Sequence, residues 1–418
     1  MVFSFFFGAG NLIFPPLAGQ LAGLQVGWTL AGFVLSSVLL PLGSIIAIAR
    51  GGSFPALLRD LPKGIAITAV LVSFSLMGPL FVTPRTGLVV YEMVFKPWLP
   101  AAWPAMQYWV TAVFFSLTLL FCWSPGRLID YIGKLVTPIM LLLLIGLTVG
   151  VVLMPQGVVQ SPQAAYQSHP LAAGFIDGYQ TMDNFGALMF GALIIEVLRN
   201  KGITDPKRSC HYLVVSGLIA TVGLALVYLS LFWLGATSAT VAPQPETGVQ
   251  VLTATVQALF GHWGQGLLGG VVILACLTTA VGLLSSWADY LTSLTACSYR
   301  FWIVLGSVIS ALIANIDLTT LITLSQPVLV ALYPPAIVLV LLTFIREKLP
   351  NPLLSYHLVL SVAFIGGLLD AVRRIGVDLN ALQCIPGFNQ GLGWLIPSLL
   401  SLAIACLIPA PLSNASTI

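Results

Sequence analysis

Twelve apolar runs joined by short polar connectors dominate this 418-residue chain. They fall at about residues 2–24, 27–49, 64–83, 107–123, 135–154, 177–198, 212–235, 266–288, 301–315, 320–344, 353–370 and 392–409. A helix needs about 20 residues to cross a hydrocarbon core of roughly 30 Å. In lipid each run must satisfy its own backbone N–H and C=O groups, so each is read as a helix. The run at 64–83 is expected to continue as a tilted helix through Glu92. A soluble surface cannot be built here, because 16 Lys+Arg and 13 Asp+Glu make only 7% of the chain, against about 25% in a soluble domain. The same arithmetic excludes a disordered chain, a nucleic-acid binder and a secreted disulfide scaffold. The expectation is an all-α polytopic membrane protein of about twelve transmembrane helices, forming one integral membrane domain in the lipid bilayer.

Lysine and arginine set the orientation. With the N-terminus inside, the cytoplasmic loops hold Arg50, Arg59, Lys63, Arg127, Lys134, Arg199, Lys201, Lys207, Arg208, Arg300, Arg346 and Lys348. The external loops hold Lys96, Arg373 and Arg374, and Arg85 lies within the third span, in its expected continuation through Glu92. Both termini are therefore expected in the cytoplasm, with the Arg373–Arg374 pair an exception. Two longer connectors, 155–176 and 236–264, then fall outside, the second helix-like from Gly248 to Phe260. They serve either as caps over an external vestibule or as polar connectors. No basic segment with a small-residue cleavage site opens the chain, so no cleavable signal peptide is expected. The six cysteines are scattered without a CxxC pair and read as small buried apolar side chains.

Two runs carry residues that a continuous helix does not want. The first reads FFFGAGNLIFPP from Phe5 to Pro16. Glycine costs a helix about 1 kcal/mol relative to alanine, and proline about 3. This run is expected to unwind near Gly8–Asn11 and restart near Pro15. The sixth reads GYQTMDNFGALMFG from Gly178 to Gly191, with Asp183 and Asn184 near its centre. A carboxylate at that depth costs several kcal/mol unless paired or wet, and a second break is expected near Thr181–Gly186. Glycine and proline are also ordinary in membrane helices, where they give simple kinks. Breaks in the first and sixth helices, however, suit two inverted five-helix units, 1–154 and 177–344, followed by two further helices at 353–409. Paired interruptions of this kind point to a transporter site. Half-helix N-termini offer free N–H groups to an anion, and unwound carbonyls suit an ammonium group or Na⁺.

In the eighth run Ala275, Thr278 and Thr279 share one helix face. Their oxygens suit a weakly held alkali cation, although threonine hydroxyls also bond back to the preceding turn. Arg85 and Glu92 stand seven residues apart on one helical face, placed to pair with each other or with another helix. Tyr333-Pro334-Pro335 marks a kink in the tenth run. The four histidines are isolated. An embedded enzyme would need convergent acids, bases or metal ligands at depth, and a channel would need polar stripes along several helices. The residues themselves reach a secondary transporter of a small solute with polar ends.

Those same stretches carry a resemblance. GAGNLIFPP (8–16), GPLFVTPRTG (78–87), GYQTMDNFGALMFG (178–191), ACLTTAVGL (275–283) and YPP (333–335) resemble, in order and over essentially the whole length, the bacterial branched-chain amino acid carriers of the LIVCS family, the BrnQ type. The chain is also similar to the wider amino acid–polyamine–organocation transporters with the leucine-transporter fold. The resemblance implies a 5+5 inverted repeat with discontinuous helices 1 and 6. It implies uptake of leucine, isoleucine and valine through the cytoplasmic membrane, coupled to Na⁺ and in some members to H⁺. Backbone at Gly8, Ala9, Gly10 and Asn11 would hold the substrate's charged ends. Thr181, Asp183, Asn184, Phe185 and Gly186 would line the other side. Carbonyls of Ser4 and Phe7 would join Ala275, Thr278 and Thr279 around Na⁺. With H⁺ as the alternative coupling ion, Asp183 or another intramembrane acid would carry the proton. No organic cofactor, nucleic acid or obligate protein partner is implied. Family members carry roughly twenty residues before GAGN, whereas seven precede Gly8 here, about 10 Å of helix. Met1 is accordingly expected to be an internal or misassigned start.

Overall fold

A computed structural model describes residues 2–98, 105–123, 137–200 and 202–408. Arg127, Lys134 and Lys201 of the orientation count lie outside the described residues, as do the first two residues of the fifth run and the last of the twelfth. Among the described residues every apolar run is helical. The first span is in two pieces, Val2–Phe6 and Ala9–Ala22. Gly23, at φ +49°, interrupts the helix before the second span at 26–51. The third, Lys63–Trp98, passes well beyond Glu92. The fourth and fifth are Met106–Cys122 and Thr137–Leu153. The sixth is again in two pieces, Pro170–Gly178 and Asp183–Asn200, and the seventh is Pro206–Ala236. The helix Gly248–Leu294 is divided by Gly261 (φ +58°, ψ −150°) into a connector helix and the eighth span, so the helical reading of 248–260 holds. Tyr299–Ile313, Leu318–Ile345, Pro352–Arg374 and Leu395–Leu407 complete the set. The tenth stays helical through Pro334 and Pro335.

Helix starts follow local chemistry. Asp205, Asp317 and Asn351 accept from backbone N–H groups three residues on, at 3.1–3.2 Å, as N-cap side chains do. Proline opens the sixth, seventh and eleventh spans, where its missing N–H is no loss. The fourth, fifth, ninth and twelfth spans have only 17, 17, 15 and 13 helical residues. A bilayer accommodates such short crossings by thinning or through flanking residues that reach the interface.

The two broken spans lie among the second, seventh and eighth, and the third packs on the eighth. Two contacts are close enough to need glycine. A Cβ on Gly19 of the first span would strike the Phe232 carbonyl of the seventh, and one on Gly235 would strike the Pro16 carbonyl. A Cβ on Gly174 of the sixth would strike the Thr29 carbonyl of the second, and one on Gly32 the Leu171 carbonyl. The first span thus meets the seventh as the sixth meets the second. Large apolar residues such as Trp109, Leu142, Ile219 and Leu312 face outward, which suits lipid.

The connectors answer two sequence questions. Arg373 and Arg374 occupy the last turn of the eleventh helix, where cations suit the negative end of the dipole. Arg373 also donates to the Asn389 carbonyl at 3.3 Å and lies over the Phe388 ring, so the pair that departs from the charge rule fastens a connector. Residues 155–176 are pinned to the end of the first span: Leu24 N donates to Gln160 O at 3.0 Å and Gln163 N to Leu21 O at 2.9 Å. Cysteine burial needs correction. All six are free, but only Cys122 and Cys276 are buried, and Cys297, Cys384 and Cys406 are exposed.

Gly174→Ala is expected to lower the unfolding midpoint in detergent, because overpacking costs about 1–3 kcal/mol. Gly27→Ala, with open space at its Cβ, is the control that leaves it unchanged. In the connector before the third span, Asp60 makes a two-pronged pair with Arg346 at 2.7 and 2.9 Å. That hydrogen-bonded guanidinium holds the Asp60 carboxyl below its ordinary value. A lowered folded value contributes stability above the unfolded one, lost as pH falls through the folded one. The gap in unfolding midpoint between wild type and Asp60→Asn is therefore expected at pH 7 and closes below roughly pH 4.

Candidate functional site

The first helix breaks at Phe7–Gly8, with Gly8 extended at φ −120°, ψ −167°. The helix resumes at once with Ala9, not at Pro15. Asn11 explains this, since its Oδ1 accepts the Gly8 N–H at 2.9 Å, as a residue in the first turn that reaches back to the N-cap does. Pro15 and Pro16 lie inside the restarted helix, where they cannot donate to the Asn11 and Leu12 carbonyls. The sixth span breaks at Tyr179–Met182 and bends by 41°. Met182 is left-handed at φ +62°, alone among the described non-glycine residues. The helix resumes at Asp183, an acid at the positive end of the dipole. The break therefore stops short of Asn184, Phe185 and Gly186, which are helical.

The two breaks meet. Asn11 Nδ2 donates to Asp183 Oδ2 at 2.8 Å, and the Tyr228 hydroxyl of the seventh span donates to the same oxygen at 2.8 Å. Asn11 and Tyr228 are also hydrogen-bonded to each other. Between the broken ends lies a cavity of about 20 Å³, room for about one water. Gly8, Ala9, Gly10 and Asn11 line it from the first span, Thr181, Asp183 and Gly186 from the sixth, and Thr279 from the eighth. Phe5, Phe6, Met77, Val82, Phe190 and Leu283 supply apolar walls. Asn184 and Phe185 stand away from it. Asn184 Oδ1 accepts from Ser44 Oγ of the second span at 2.6 Å. Phe185 packs edge-on against Tyr333, with ring centroids 5.2 Å apart, and lines two adjoining apolar cavities.

Oxygen atoms gather on the other side of the first break. Thr278 Oγ1 donates to the Ser4 carbonyl at 3.3 Å and to the Ala275 carbonyl at 2.9 Å. Thr279 Oγ1 is buried without a hydrogen-bond partner and sits 2.9 Å from where a Cβ on Gly8 would stand. Phe7 is fully buried in the same turn, stacked on Phe3 with ring centroids 5.5 Å apart. Ser4, Ala275 and Thr278 are in direct contact, with Thr279 beside Gly8. The donor set is hard oxygen throughout, the chemistry of an alkali cation rather than a transition metal.

Two residues stand where the sequence did not put them. Glu92 pairs with Lys96 at 2.7 Å, not with Arg85. A π-helical turn at Tyr91–Phe95 disturbs the 3.6-residue phase on which the shared face was counted. Arg85 is instead 2% exposed and lines the cavity. Tyr228 gave one signal, a phenolic hydroxyl in the apolar stretch LALVYLSLF, which needs a partner when buried.

A family model described as a branched-chain amino acid transport protein matches residues 1–411. The chain belongs to this family. It is 41% identical over 410 residues to the branched-chain amino acid transport system 2 carrier protein of Pseudomonas aeruginosa, covering 97% of this chain and 93% of that protein. It is 36% identical to the branched-chain amino acid permease BrnQ of Escherichia coli K12, with the same coverages. Its relatives are transporters, so the chain is a membrane transporter and not an enzyme. Its fold is similar to that of Mhp1, a nucleobase-cation-symport-1 transporter (TM-score 0.59, 14% identity, 99% of this chain and 94% of that one). MhsT in complex with L-phenylalanine is also similar (TM-score 0.52, 15% identity, 97% and 96%). These likenesses establish the leucine-transporter fold.

Removing one donor from a buried carboxylate leaves about 1–3 kcal/mol of desolvation unmet. Tyr228→Phe and Asn11→Ala are each expected to lower the unfolding midpoint in detergent. Because they share Asp183 Oδ2, the double variant should depart from additivity by at least about 0.5 kcal/mol in a thermodynamic cycle.

Proposed function

We propose that the chain takes up leucine, isoleucine and valine across the bacterial cytoplasmic membrane by Na⁺ symport, through alternating access. The observation that carries this reading is the junction of the two breaks at one small cavity, with Asn11 bonded both to Gly8 and to Asp183. Exposed peptide groups at the broken ends meet the ammonium and carboxylate of an amino acid. The apolar walls around Phe5, Phe6, Met77, Val82, Phe190 and Leu283 meet an aliphatic side chain. Family membership and the printed names of the relatives support branched-chain substrates. At about 20 Å³ the cavity must widen to admit leucine. The reciprocal glycine contacts of spans 1 with 7 and 6 with 2 suit two inverted units, 1–154 and 177–344, rocking about the site. The charge count of the loops supports an orientation with both termini in the cytoplasm.

The Na⁺ ligands in this reading are the Ser4, Phe7 and Ala275 carbonyls with the Thr278 and Thr279 hydroxyls. They straddle the first and eighth spans beside Gly8, and Thr279 also lines the cavity. A cation there draws the unwound turn toward the eighth helix. Its binding and the substrate's are then coupled, each strengthening the other by the same factor. Proton coupling is the second reading, favoured by one observation: Asp183 is a buried carboxylate at the centre of a hydrogen-bonded group.

Labelled leucine uptake into proteoliposomes is expected to saturate and to be driven by an inward Na⁺ gradient. Thr279→Ala is expected to raise the Na⁺ concentration for half-maximal uptake about tenfold, or about 1.4 kcal/mol, while leucine affinity at saturating Na⁺ stays near wild type. Non-saturable flux indifferent to any gradient would end the proposal. Uptake driven by a pH gradient without Na⁺ would replace Na⁺ with H⁺.

A further inference from the structure

Among the described residues no carboxylate lies in hydrogen-bond reach of Arg85. It lies near the middle of the third span and is 2% exposed. Its Cζ sits 5.3 Å from the centroid of the Phe14 ring, and its Nη1 donates to the Gln180 carbonyl at 3.1 Å. Its Nε and Nη2 are buried without a hydrogen-bond partner. Nη2 would lie 2.8 Å from a Cβ on Gly10, in the first turn of the restarted first helix. The absent side chain of Gly10 therefore leaves room for the guanidinium beside the free N–H groups of that helix start. Arg85 and Asp183 line the same cavity, but the Asp183 oxygen named above is taken by Asn11 and Tyr228. An unfilled guanidinium edge inside a low-dielectric site strongly favours an anion, above all one with the planar fork of a carboxylate.

We infer that Arg85 binds the α-carboxylate of the transported amino acid, through its Nη2 edge and the N-terminus of the helix at Ala9–Gly10, while Asp183 faces the α-ammonium. This rests on the amino acid reading above and adds to it a charged anchor on the third span. The cavity then presents opposite charges on separate walls, and a zwitterion satisfies both at once. A simple amine leaves Arg85 unpaired, and a simple carboxylic acid leaves Asp183 without a cation. Selectivity for α-amino acids thus comes from the cost of a stranded buried charge, which a matching contact alone does not supply.

The test is competition against labelled leucine binding to the purified protein in saturating Na⁺, with leucine, isopentylamine and 4-methylpentanoate as probes. Wild type is expected to prefer leucine over isopentylamine by at least 100-fold. Arg85→Gln is expected to weaken leucine about 100-fold, leave isopentylamine within threefold of wild type, and so collapse the ratio. Arg85→Lys keeps the charge without the fork and is expected to retain a ratio of at least tenfold. It also provides the readout if Arg85→Gln does not elute as a single folded species. Retention of the wild-type ratio by Arg85→Gln, or an equal loss for every probe in both variants, overturns the assignment and leaves the transport reading intact. Wild type that binds no leucine overturns both.

Discussion

A peptide group that leaves helical geometry within a membrane span must find a partner inside the protein, because lipid offers none. The first and sixth spans both leave helical geometry, and one side chain reconciles the two places. Asn11 accepts the N–H freed at Gly8 and donates to Asp183 at the head of the restarted sixth helix. Its amide presents an acceptor to one break and a donor to the other, which neither aspartate nor leucine of similar volume can do. Tyr228 closes the group from the seventh span. An arrangement in which each member is held by the next fixes where the helices stop, and so fixes which backbone atoms face the cavity.

The packing around that junction has the same logic. Small residues let backbones approach where side-chain burial gives no hydrophobic gain between helices in lipid. The Gly19–Gly235 and Gly32–Gly174 contacts bring the restarted half of the first span onto the seventh, and the N-terminal half of the sixth onto the second. These halves are thus clamped to unbroken neighbours. The N-terminal half of the first span, Val2–Phe6, is held differently, by Ser4 through the Thr278 hydroxyl and Thr137. These few polar contacts link it to the fifth and eighth spans, so ligation at that turn bears directly on where this half rests.

Much of the fold was legible because lipid reduces the folding problem to counting. Runs near twenty apolar residues with few charges inside them leave no alternative to helices, and the short helix before the eighth span followed from the composition of 236–264. The existence of breaks in spans 1 and 6 was legible for the same energetic reason. Their positions were not. Proline suggested a restart at Pro15, but the restart is set by the reach of Asn11, a capping contact that composition does not weigh. In the sixth span the expected stretch, Thr181–Gly186, does contain the left-handed residue, Met182, but its later residues are helical. Of the two pairings open to Arg85, with Glu92 or with another helix, the second is found, at the Gln180 carbonyl. Asn184 was placed in the cavity although Ser44 turns it away. Two of these contacts, Ser44 with Asn184 and Arg85 with Gln180, join residues distant in sequence, where local pattern has nothing to report.

The distribution of charge ties these features together. Ionised groups with satisfied partners sit at the ends of spans: Glu92 with Lys96, Asp60 with Arg346, Arg373 on Asn389. Arg85 and Asp183 lie within spans, where a charge is costly and pairing is the usual remedy. Each is held by the other break's neighbourhood, Arg85 by the Gln180 carbonyl just before Met182 and Asp183 by Asn11 just after Gly8. Their positions are therefore set by broken backbone, so any motion that shifts one half-helix against its neighbours also shifts the charges lining the cavity. Geometry of the breaks and electrostatics of the site are one variable in this molecule, and a solute that joins the two walls acts on both.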